Sequence, residues 1–176
     1  MEIVPTSIEG CYRIQLEHFR DARGHFTRVL DLVPLREVNQ DFKIARVNRS
    51  LTQRLGAIRG LHYQRPPKAE DKIVQCLEGR VFDVCVDLRE GSQTRHQWVG
   101  FELSPENEEL LWIPKGCAHG FQTLTEGCLV EYFCTEIYSP ADEFGARWND
   151  PALGIEWPLP CSQTSEKDAA WPMLAR

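Results

Sequence analysis

The sequence predicts an all-β protein, either a sandwich or a barrel. Short strand-like runs follow one another along most of the chain, turns rich in glycine and proline separate them, and no long amphipathic helix interrupts them. The 176 residues are 42% apolar and 26% charged, and they contain no repeat or linker. We therefore expect a single domain over residues 1–176 with a substantial core.

The first predicted elements are a pair of strands and a short helix. Residues 11–19 alternate apolar and polar side chains, which is typical of a half-buried strand. A turn at residues 21–24 leads into a second predicted strand over residues 25–30. Residues 34–39 are expected to form a short helix, with Pro34 in its first turn.

From residue 43 onward, eight strands are predicted, with breaks such as Pro66-Pro67 and Pro114-Lys115-Gly116 between them. The end of the chain, residues 151–176, is rich in proline and polar residues and contains one predicted turn of helix at residues 165–170. The predicted strands cover residues 44–50, 57–64, 72–77, 81–88, 97–103, 110–113, 121–124 and 129–135.

Charge and cysteine usage restrict the partners and the compartment. A net charge of -6 argues against nucleic acid as a partner, so phosphate binding requires a local cluster of Arg and Lys. The N-terminus lacks the pattern of a signal peptide, and no apolar run approaches the ~20 residues of a membrane span. The seven cysteines form no CxxC pair, and Cys76, Cys85 and Cys134 lie in apolar runs. We expect a cytoplasmic protein without membrane attachment.

Arg59, Gly60 and His62 form the first candidate site. In a regular strand the side chains of Arg59 and His62 would point to opposite faces. A β-bulge at Gly60 would place both on one face, where a guanidinium and an imidazole suit a phosphorylated substrate. The alternative is an ordinary core strand with a hydrogen-bonded histidine.

The turn Pro114-Lys115-Gly116 followed by His119 resembles the second motif of the cupins, which are small β-barrels of the jelly-roll type. His62 takes the position of the first cupin motif. Metal-binding cupins carry two histidines and a glutamate there, whereas this chain has His62-Tyr63-Gln64. Because His18, His25 and His96 lie in unrelated sequence surroundings, we expect no metal site.

A narrower resemblance runs from about residue 21 to the C-terminus. The blocks that carry it are residues 58–64, 72–74, 79–89, 103–107, 113–121, 138–140, 148–151, 154–158 and 165–168. In these blocks the chain resembles the dTDP-4-dehydrorhamnose 3,5-epimerases. The resemblance implies a cupin-type jelly-roll β-barrel with short flanking helices, usually a homodimer, acting on a nucleotide-diphospho-4-keto-6-deoxy sugar without a cofactor.

The resemblance implies four catalytic residues. His62 matches the base that removes a proton beside the ketone, and Asp168 matches the carboxylate that orients it. Tyr132 matches the acid on the opposite face, and Lys72 matches the group that stabilises the C4 oxyanion. The residues themselves leave alternatives open. Asp168 could stabilise the start of a helix capped by Ser165, Tyr132 could be a core aromatic and Lys72 an exposed strand lysine.

The same resemblance implies a set of substrate contacts. Two arginines would clamp the pyrophosphate, and two residues would contact the base. His119 would line the sugar pocket or brace its own turn. For Glu143 and Lys167 the alternative is a solvated surface charge. The expected contacts are Arg23 and Arg59 for the pyrophosphate, Phe26 and Asn48 for the base, and His119, Tyr138, Glu143 and Lys167 for the rest of the substrate.

Two positions depart from the family pattern in the part expected to read the base. Arg28 stands where the family has glutamate, and Arg46 stands where it has glutamine. Both changes remove hydrogen-bond acceptors and add hydrogen-bond donors. They therefore suggest that the chain binds a nucleotide other than dTDP, such as CDP or GDP. Other readings are an epimerase that inverts only C3 or only C5, a metal-dependent cupin, and a non-catalytic sugar-nucleotide-binding protein.

Overall fold

Two antiparallel sheets face each other in the computed structural model, which describes residues 1–174. The helices are α1 (Leu32–Val38) and α2 (Glu166–Ala169). The strands are β1 (Glu2–Pro5), β2 (Tyr12–Gln15), β3 (His18–Asp21), β4 (Gly24–Thr27), β5 (Arg46–Thr52), β6 (Ile58–Gln64), β7 (Lys72–Glu78), β8 (Val81–Asp87), β9 (Trp98–Leu103), β10 (Glu109–Ile113), β11 (Cys117–Thr123), β12 (Cys128–Cys134) and β13 (Glu143–Gly145).

The strand order gives a six-stranded sheet, β1-β2-β10-β7-β12-β5, and a five-stranded sheet, β13-β6-β11-β8-β9. The strands β3 and β4 form a separate hairpin. Apolar side chains from both large sheets meet in the core between them, among them Val74, Leu111 and Val130 from one sheet and Cys85 and Phe121 from the other. This architecture confirms the predicted all-β jelly-roll fold.

The outer faces of both sheets are also covered. Leu35 of α1 and Phe42 pack on Trp112 against the outer face of the six-stranded sheet. The segment after β13 covers the five-stranded sheet, with Leu153 and Trp157 packed over it. Among the described residues 1–174, no helix is long and apolar enough to cross a membrane. Because both sheets are covered on two sides, most residues of strands such as β8, β10 and β11 are buried.

The N-terminal prediction is partly wrong. Residues 11–19 do not form one strand, because the chain leaves β2 at Leu16 and enters β3 at His18, and the two strands belong to different sheets. The returning strand, β4, ends at Thr27. The helix starts two residues earlier than predicted, since the Asp31 side chain accepts a hydrogen bond from the backbone of Val33 and caps it.

Three further differences concern strands. The edge strands β1 and β13 were not predicted, and both are too short for their pattern to stand out. The strand β11 begins at Cys117, before the predicted start at residue 121. Ala118 and Gly120 resemble turn residues in the sequence, but they are fully enclosed between neighbouring strands.

The hairpin corrects another expectation. His18 and His25 do not lie in unrelated surroundings, because the pairing of β3 with β4 brings their rings to 5.1 Å between centroids. Both histidines also contact Glu108 in the loop before β10. Sequence spacing alone did not reveal this cluster, since Glu108 lies far along the chain.

The predicted bulge at Gly60 is confirmed. His62 pairs with His119 and Gly60 pairs with Gly120, so Leu61 is the extra residue in β6. Gly60 has a φ of 112°, and a Cβ there would lie 2.6 Å from the His119 carbonyl oxygen. Only glycine fits this close approach. As a result, Arg59 and His62 both line the same cavity.

Candidate active site

A cavity of about 750 Å³ lies between the two sheets. Its walls come from β5, β7 and β12 on one side, β6 and β11 on the other, and α2 at one end. Eleven of the fourteen predicted site residues line it. They are Arg46, Asn48, Arg59, His62, Lys72, His119, Tyr132, Tyr138, Glu143, Lys167 and Asp168.

His62 and Asp168 form a hydrogen-bonded pair across the bulge. The His62 Nε2 lies 2.6 Å from Oδ1 of Asp168, and the backbone N–H of Gly60 donates to Oδ2 at 3.1 Å. Burial acts to raise the pKa of Asp168, but these hydrogen bonds outweigh it and hold the pKa below its usual value of 3.8. Because Nε2 is bound to Asp168, Nδ1 is the nitrogen that can exchange a proton with a substrate.

The sequence left open that Asp168 stabilises the start of a helix capped by Ser165, and the structure shows only part of this arrangement. Ser165 caps α2 by accepting a hydrogen bond from the backbone N–H of Asp168 at 3.0 Å. The Asp168 carboxylate, however, is directed to His62 and Gly60. The helix therefore fixes the backbone of Asp168 while its side chain serves the cavity.

Tyr132 enters the cavity from the opposite sheet. It lies on β12, packs against the inner core, and its hydroxyl is 2.7 Å from Oγ of Ser50 on the neighbouring strand. Burial raises the pKa of Tyr132 above its usual value of 10.0, so the phenol stays protonated at neutral pH. A neutral phenol can donate a proton into the cavity.

Lys72 belongs to a buried charge cluster beside Tyr132. Its ammonium lies 3.4 Å from Oε1 of Glu70, and Arg46 donates to Oε2 of the same carboxylate at 2.7 Å. The Lys72 side chain is only 13% exposed, which excludes the alternative of an exposed strand lysine. Burial raises the pKa of Glu70 despite the two cations beside it. The positively charged side chains of Lys72 and Arg46 thus share the buried carboxylate of Glu70 in the wall of the cavity.

His119 is fully enclosed next to Tyr132. Its Nε2 contacts both carboxylate oxygens of Asp83, and its ring meets the Tyr132 ring edge-on at 5.9 Å between centroids. Burial raises the pKa of Asp83, while the contact with His119 opposes that shift. The Asp83 carboxylate thus fixes the imidazole that forms part of the cavity wall.

Arginines gather at the mouth of the cavity. Arg59 donates from Nε to the Thr52 hydroxyl at 2.8 Å and from Nη2 to the Leu51 carbonyl at 3.2 Å. Arg49 and Arg54, on and just after β5, line the same wall. Together these arginines form a local positive cluster in an otherwise acidic chain, and guanidinium groups of this kind can bind phosphate.

Tyr138, Glu143 and Lys167 form a connected group at the rim. The Tyr138 hydroxyl and the Lys167 ammonium both donate to Oε2 of Glu143. Burial of Glu143 acts to raise its pKa, but these two hydrogen bonds lower it. The group ties α2 to β13 beside the cavity.

Three predicted contacts lie outside this cavity in the single chain. Arg23 sits in the β3–β4 turn, where it pairs with Asp21, and its side chain is 90% exposed. Phe26 is exposed on β4, and Arg28 pairs with Asp31. The expectation that Arg28 and Arg46 together read the base is therefore not met within one chain, since Arg46 lies deep beside Glu70.

Sequence reasoning missed several residues that support this site. Asp83 and Glu70 hold His119 and Lys72, Ser50 contacts Tyr132, and Arg54 joins the arginines at the mouth. The signal for Asp83 was a carboxylate in the middle of an apolar strand, where an unpaired charge is costly. No comparable signal marks Ser50, whose partner lies 82 residues away.

Comparison with known proteins identifies the family of the chain. A sequence model of the family described as dTDP-4-dehydrorhamnose 3,5-epimerase matches residues 5–176. The chain belongs to the dTDP-4-dehydrorhamnose 3,5-epimerase family. The enzyme of that name from Salmonella typhimurium is 42% identical over 176 residues, covering 99% of this chain and 96% of its own.

Solved structures place the chain in the same epimerase family. The dTDP-6-deoxy-D-glucose-3,5-epimerase of Legionella pneumophila, solved with dTDP-4-keto-L-rhamnose, superposes with a TM-score of 0.91 at 41% identity, covering 98% of this chain and 92% of that one. A 3′-monoepimerase from Streptomyces bikiniensis, solved with dTDP-quinovose, gives a TM-score of 0.88 at 32% identity, covering 97% and 86%. The chain is therefore an isomerase that acts as a carbohydrate epimerase.

Proposed function

We propose that this epimerase converts dTDP-4-dehydro-6-deoxyglucose to dTDP-4-dehydrorhamnose by proton transfer at the carbons beside the C4 ketone. The observation that carries the proposal is the placement of His62 and Tyr132 on opposing sheets, both lining one cavity with Lys72. Inverting a carbon requires a base on one face and an acid on the other, and this cavity offers both. The reaction uses side chains alone and needs no cofactor.

The first half of each inversion is assigned to His62. Its Nδ1 takes the proton as the C–H bond breaks, and the electron pair moves into a C3–C4 or C4–C5 double bond with negative charge on the C4 oxygen. The imidazolium that forms is stabilised by Asp168, which is already ionised because its pKa lies below 3.8. The dyad therefore accepts the positive charge without further proton movement.

The second half is assigned to Tyr132. Its O–H bond breaks as a new C–H bond forms on the opposite face of the carbon, and the electron pair of the enolate returns to give the ketone. The phenolate left on Tyr132 regains a proton from solvent, and the His62 imidazolium releases its proton to solvent. Ser50, which contacts the hydroxyl, orients the phenol.

Lys72 is assigned to the C4 oxyanion. A preorganised cation near the developing charge contributes more in a partly buried cavity than in water. Glu70 positions the ammonium through its 3.4 Å contact and also binds Arg46, so the pair of cations remains in place without substrate. Arg59, supported by Arg54 at the mouth, is assigned to the pyrophosphate.

We also propose that the enzyme acts as a homodimer, in which the β3–β4 hairpin of one subunit completes the site of the other. The strand β5 is the open edge of the six-stranded sheet, and its Val47 and Leu51 are 52% and 49% exposed. On the hairpin, Phe19 and Phe26 are similarly exposed. A second copy would cover these surfaces and bring Arg23 and Phe26 to a substrate.

The dimer is tested by light scattering during gel filtration. Val47→Glu should convert the dimer to a monomer, while Val33→Glu, at an exposed apolar position on α1, should leave it intact. A wild-type protein that runs as a monomer at all concentrations would overturn the proposal.

A cytoplasmic location is proposed on the basis of the cysteines. All seven are free thiols, and six of them are buried, among them Cys76, Cys85 and Cys134. Free thiols persist in reducing compartments. The proposed location would be contradicted if cell fractionation found the natural protein in the periplasmic or extracellular fraction.

The substrate is tested by product analysis with matched dTDP-, CDP- and GDP-linked 4-keto-6-deoxy sugars. We expect a clear preference for the dTDP-linked sugar and inversion of both C3 and C5. Inversion of one carbon only would instead assign a monoepimerase, the activity of the Streptomyces bikiniensis neighbour. A preference for CDP or GDP would restore a base-reading role for Arg28 and Arg46.

A further inference from the structure

A second cluster of ligating side chains lies outside the active-site cavity. His18 and His25 project from the same face of the β3–β4 hairpin, since His18 pairs with Thr27 and His25 with Arg20 two residues along. Glu108, in the loop before β10, reaches both of them. His18 Nε2 contacts one carboxylate oxygen, and His25 Nε2 lies 3.8 Å from the other. The three ligand atoms lie within 4.8 Å of one another.

The imidazole of His18 is already oriented for coordination. Its Nδ1 lies 2.6 Å from the hydroxyl of Thr27, so the Thr27 oxygen can accept the Nδ1 proton and leave Nε2 as the ligand atom. Metal-binding histidines typically have such a partner on the other ring nitrogen, which fixes the tautomer and the ring plane. Neither ring is engaged by the active-site carboxylates Asp83 and Asp168.

The surroundings leave room for further ligands. The His18 and Glu108 side chains are 19% and 29% exposed, and a cavity of about 230 Å³ opens beside His25 and Glu108. Leu16 and Val29 form part of its wall. A partly apolar shell strengthens coordination, and the open space accommodates water as a fourth ligand.

We propose that His18, His25 and Glu108 bind a divalent transition metal ion, with Zn²⁺ as the best match. Two imidazoles and one carboxylate form a three-ligand set suited to zinc, which completes a tetrahedron with water. The ion would fasten the hairpin to the loop before β10. It lies outside the proton-transfer site, so its role is to hold the hairpin in position.

The test measures zinc binding to the full-length protein by calorimetry, with the metal content determined after dialysis. We expect one Zn²⁺ per chain. His18→Gln and His25→Gln should each weaken binding at least about 10-fold, and Thr27→Val should weaken it about 10- to 100-fold by releasing the His18 ring. His96→Gln serves as the matched control, and it should bind as the wild type does.

A second measurement needs no variant. Adding Zn²⁺ to the wild type should slow amide hydrogen exchange in β3 and β4 and leave the β6 amides unchanged. The proposal is overturned if the wild type binds no zinc at micromolar concentrations. It is also overturned if a His18→Gln/His25→Gln double variant binds zinc with unchanged stoichiometry and affinity.

Discussion

The Oδ1 of Asp168 lies 2.6 Å from Nε2 of His62, although the two residues are 106 positions apart in the chain. The C-terminal helix α2 carries Asp168 back to the bulge in β6, where Gly60 donates to its other oxygen. The short helix near the end of the chain is thus part of the site, because it presents the carboxylate to the proposed base.

Replacing Asp168 with asparagine should lower kcat by about 10²–10⁴-fold with a small change in KM. The amide cannot stabilise the imidazolium and can hold His62 in the wrong tautomer. Steady-state kinetics on the nucleotide sugar measure the effect. The matched control is Glu166→Gln, an exposed acid-to-amide change on the same helix, and equal losses in both variants would contradict a specific role for Asp168.

The pH dependence of kcat should show no loss from deprotonation of Tyr132 below about pH 10. Burial raises its pKa above 10.0, and a raised pKa means that the proton-donating form persists to higher pH. The comparison of phenolate absorbance in wild type and Tyr132→Phe during a pH titration measures this directly. A tyrosine that ionises below pH 9 in the wild type and is missing in the variant would refute it.

Replacing Gly60 with alanine should destabilise the fold by about 2–4 kcal/mol. An added Cβ would lie 2.6 Å from the His119 oxygen and 2.7 Å from the Gly120 Cα, at a φ of 112°. Gly91→Ala is the control, because it shares a positive φ but meets nothing within 4 Å, and should cost about 1–2 kcal/mol. Urea unfolding compares the two, and equal costs would mean that the bulge tolerates a side chain.

Replacing Lys72 with glutamine should reduce kcat by about 10²–10³-fold, the loss typical of removing one oxyanion-stabilising group. Lys68→Gln is the control, since Lys68 pairs with Glu136 at the surface. The two variants are compared by kcat at saturating substrate. An unchanged kcat in Lys72→Gln would remove Lys72 from the proposed oxyanion site.

Much of the fold could be predicted from the sequence, because the sequence patterns that indicate strands and turns are local. Short strand-like runs between glycine or proline turns mark the central strands of both sheets, and these strands were predicted to within a few residues, with β11 as the exception. The β11 error has a physical cause. A Cβ at Gly120 would lie 2.7 Å from the Arg59 carbonyl oxygen on the neighbouring strand, so the position requires glycine, and a glycine in the sequence resembles a turn.

The residues of the candidate site could be predicted where a residue type, such as histidine or arginine, has a distinctive chemistry at its position in the sequence. What the sequence could not supply was pairing between residues far apart in the chain, such as Glu70 with Arg46 or Glu108 with His18. The sequence also could not predict that Arg23 and Phe26 would be exposed, because their exposure depends on where the hairpin folds relative to the cavity.

The most direct test of the proposed mechanism is deuterium incorporation at C3 and C5 when the reaction runs in deuterated water. Wild type should place one solvent deuterium on each inverted carbon, because the new hydrogen comes from a solvent-equilibrated Tyr132. His62→Ala should abolish exchange at both carbons, and Tyr132→Phe should abolish inversion. Product formed by wild type without solvent deuterium, or full exchange in His62→Ala, would contradict the mechanism.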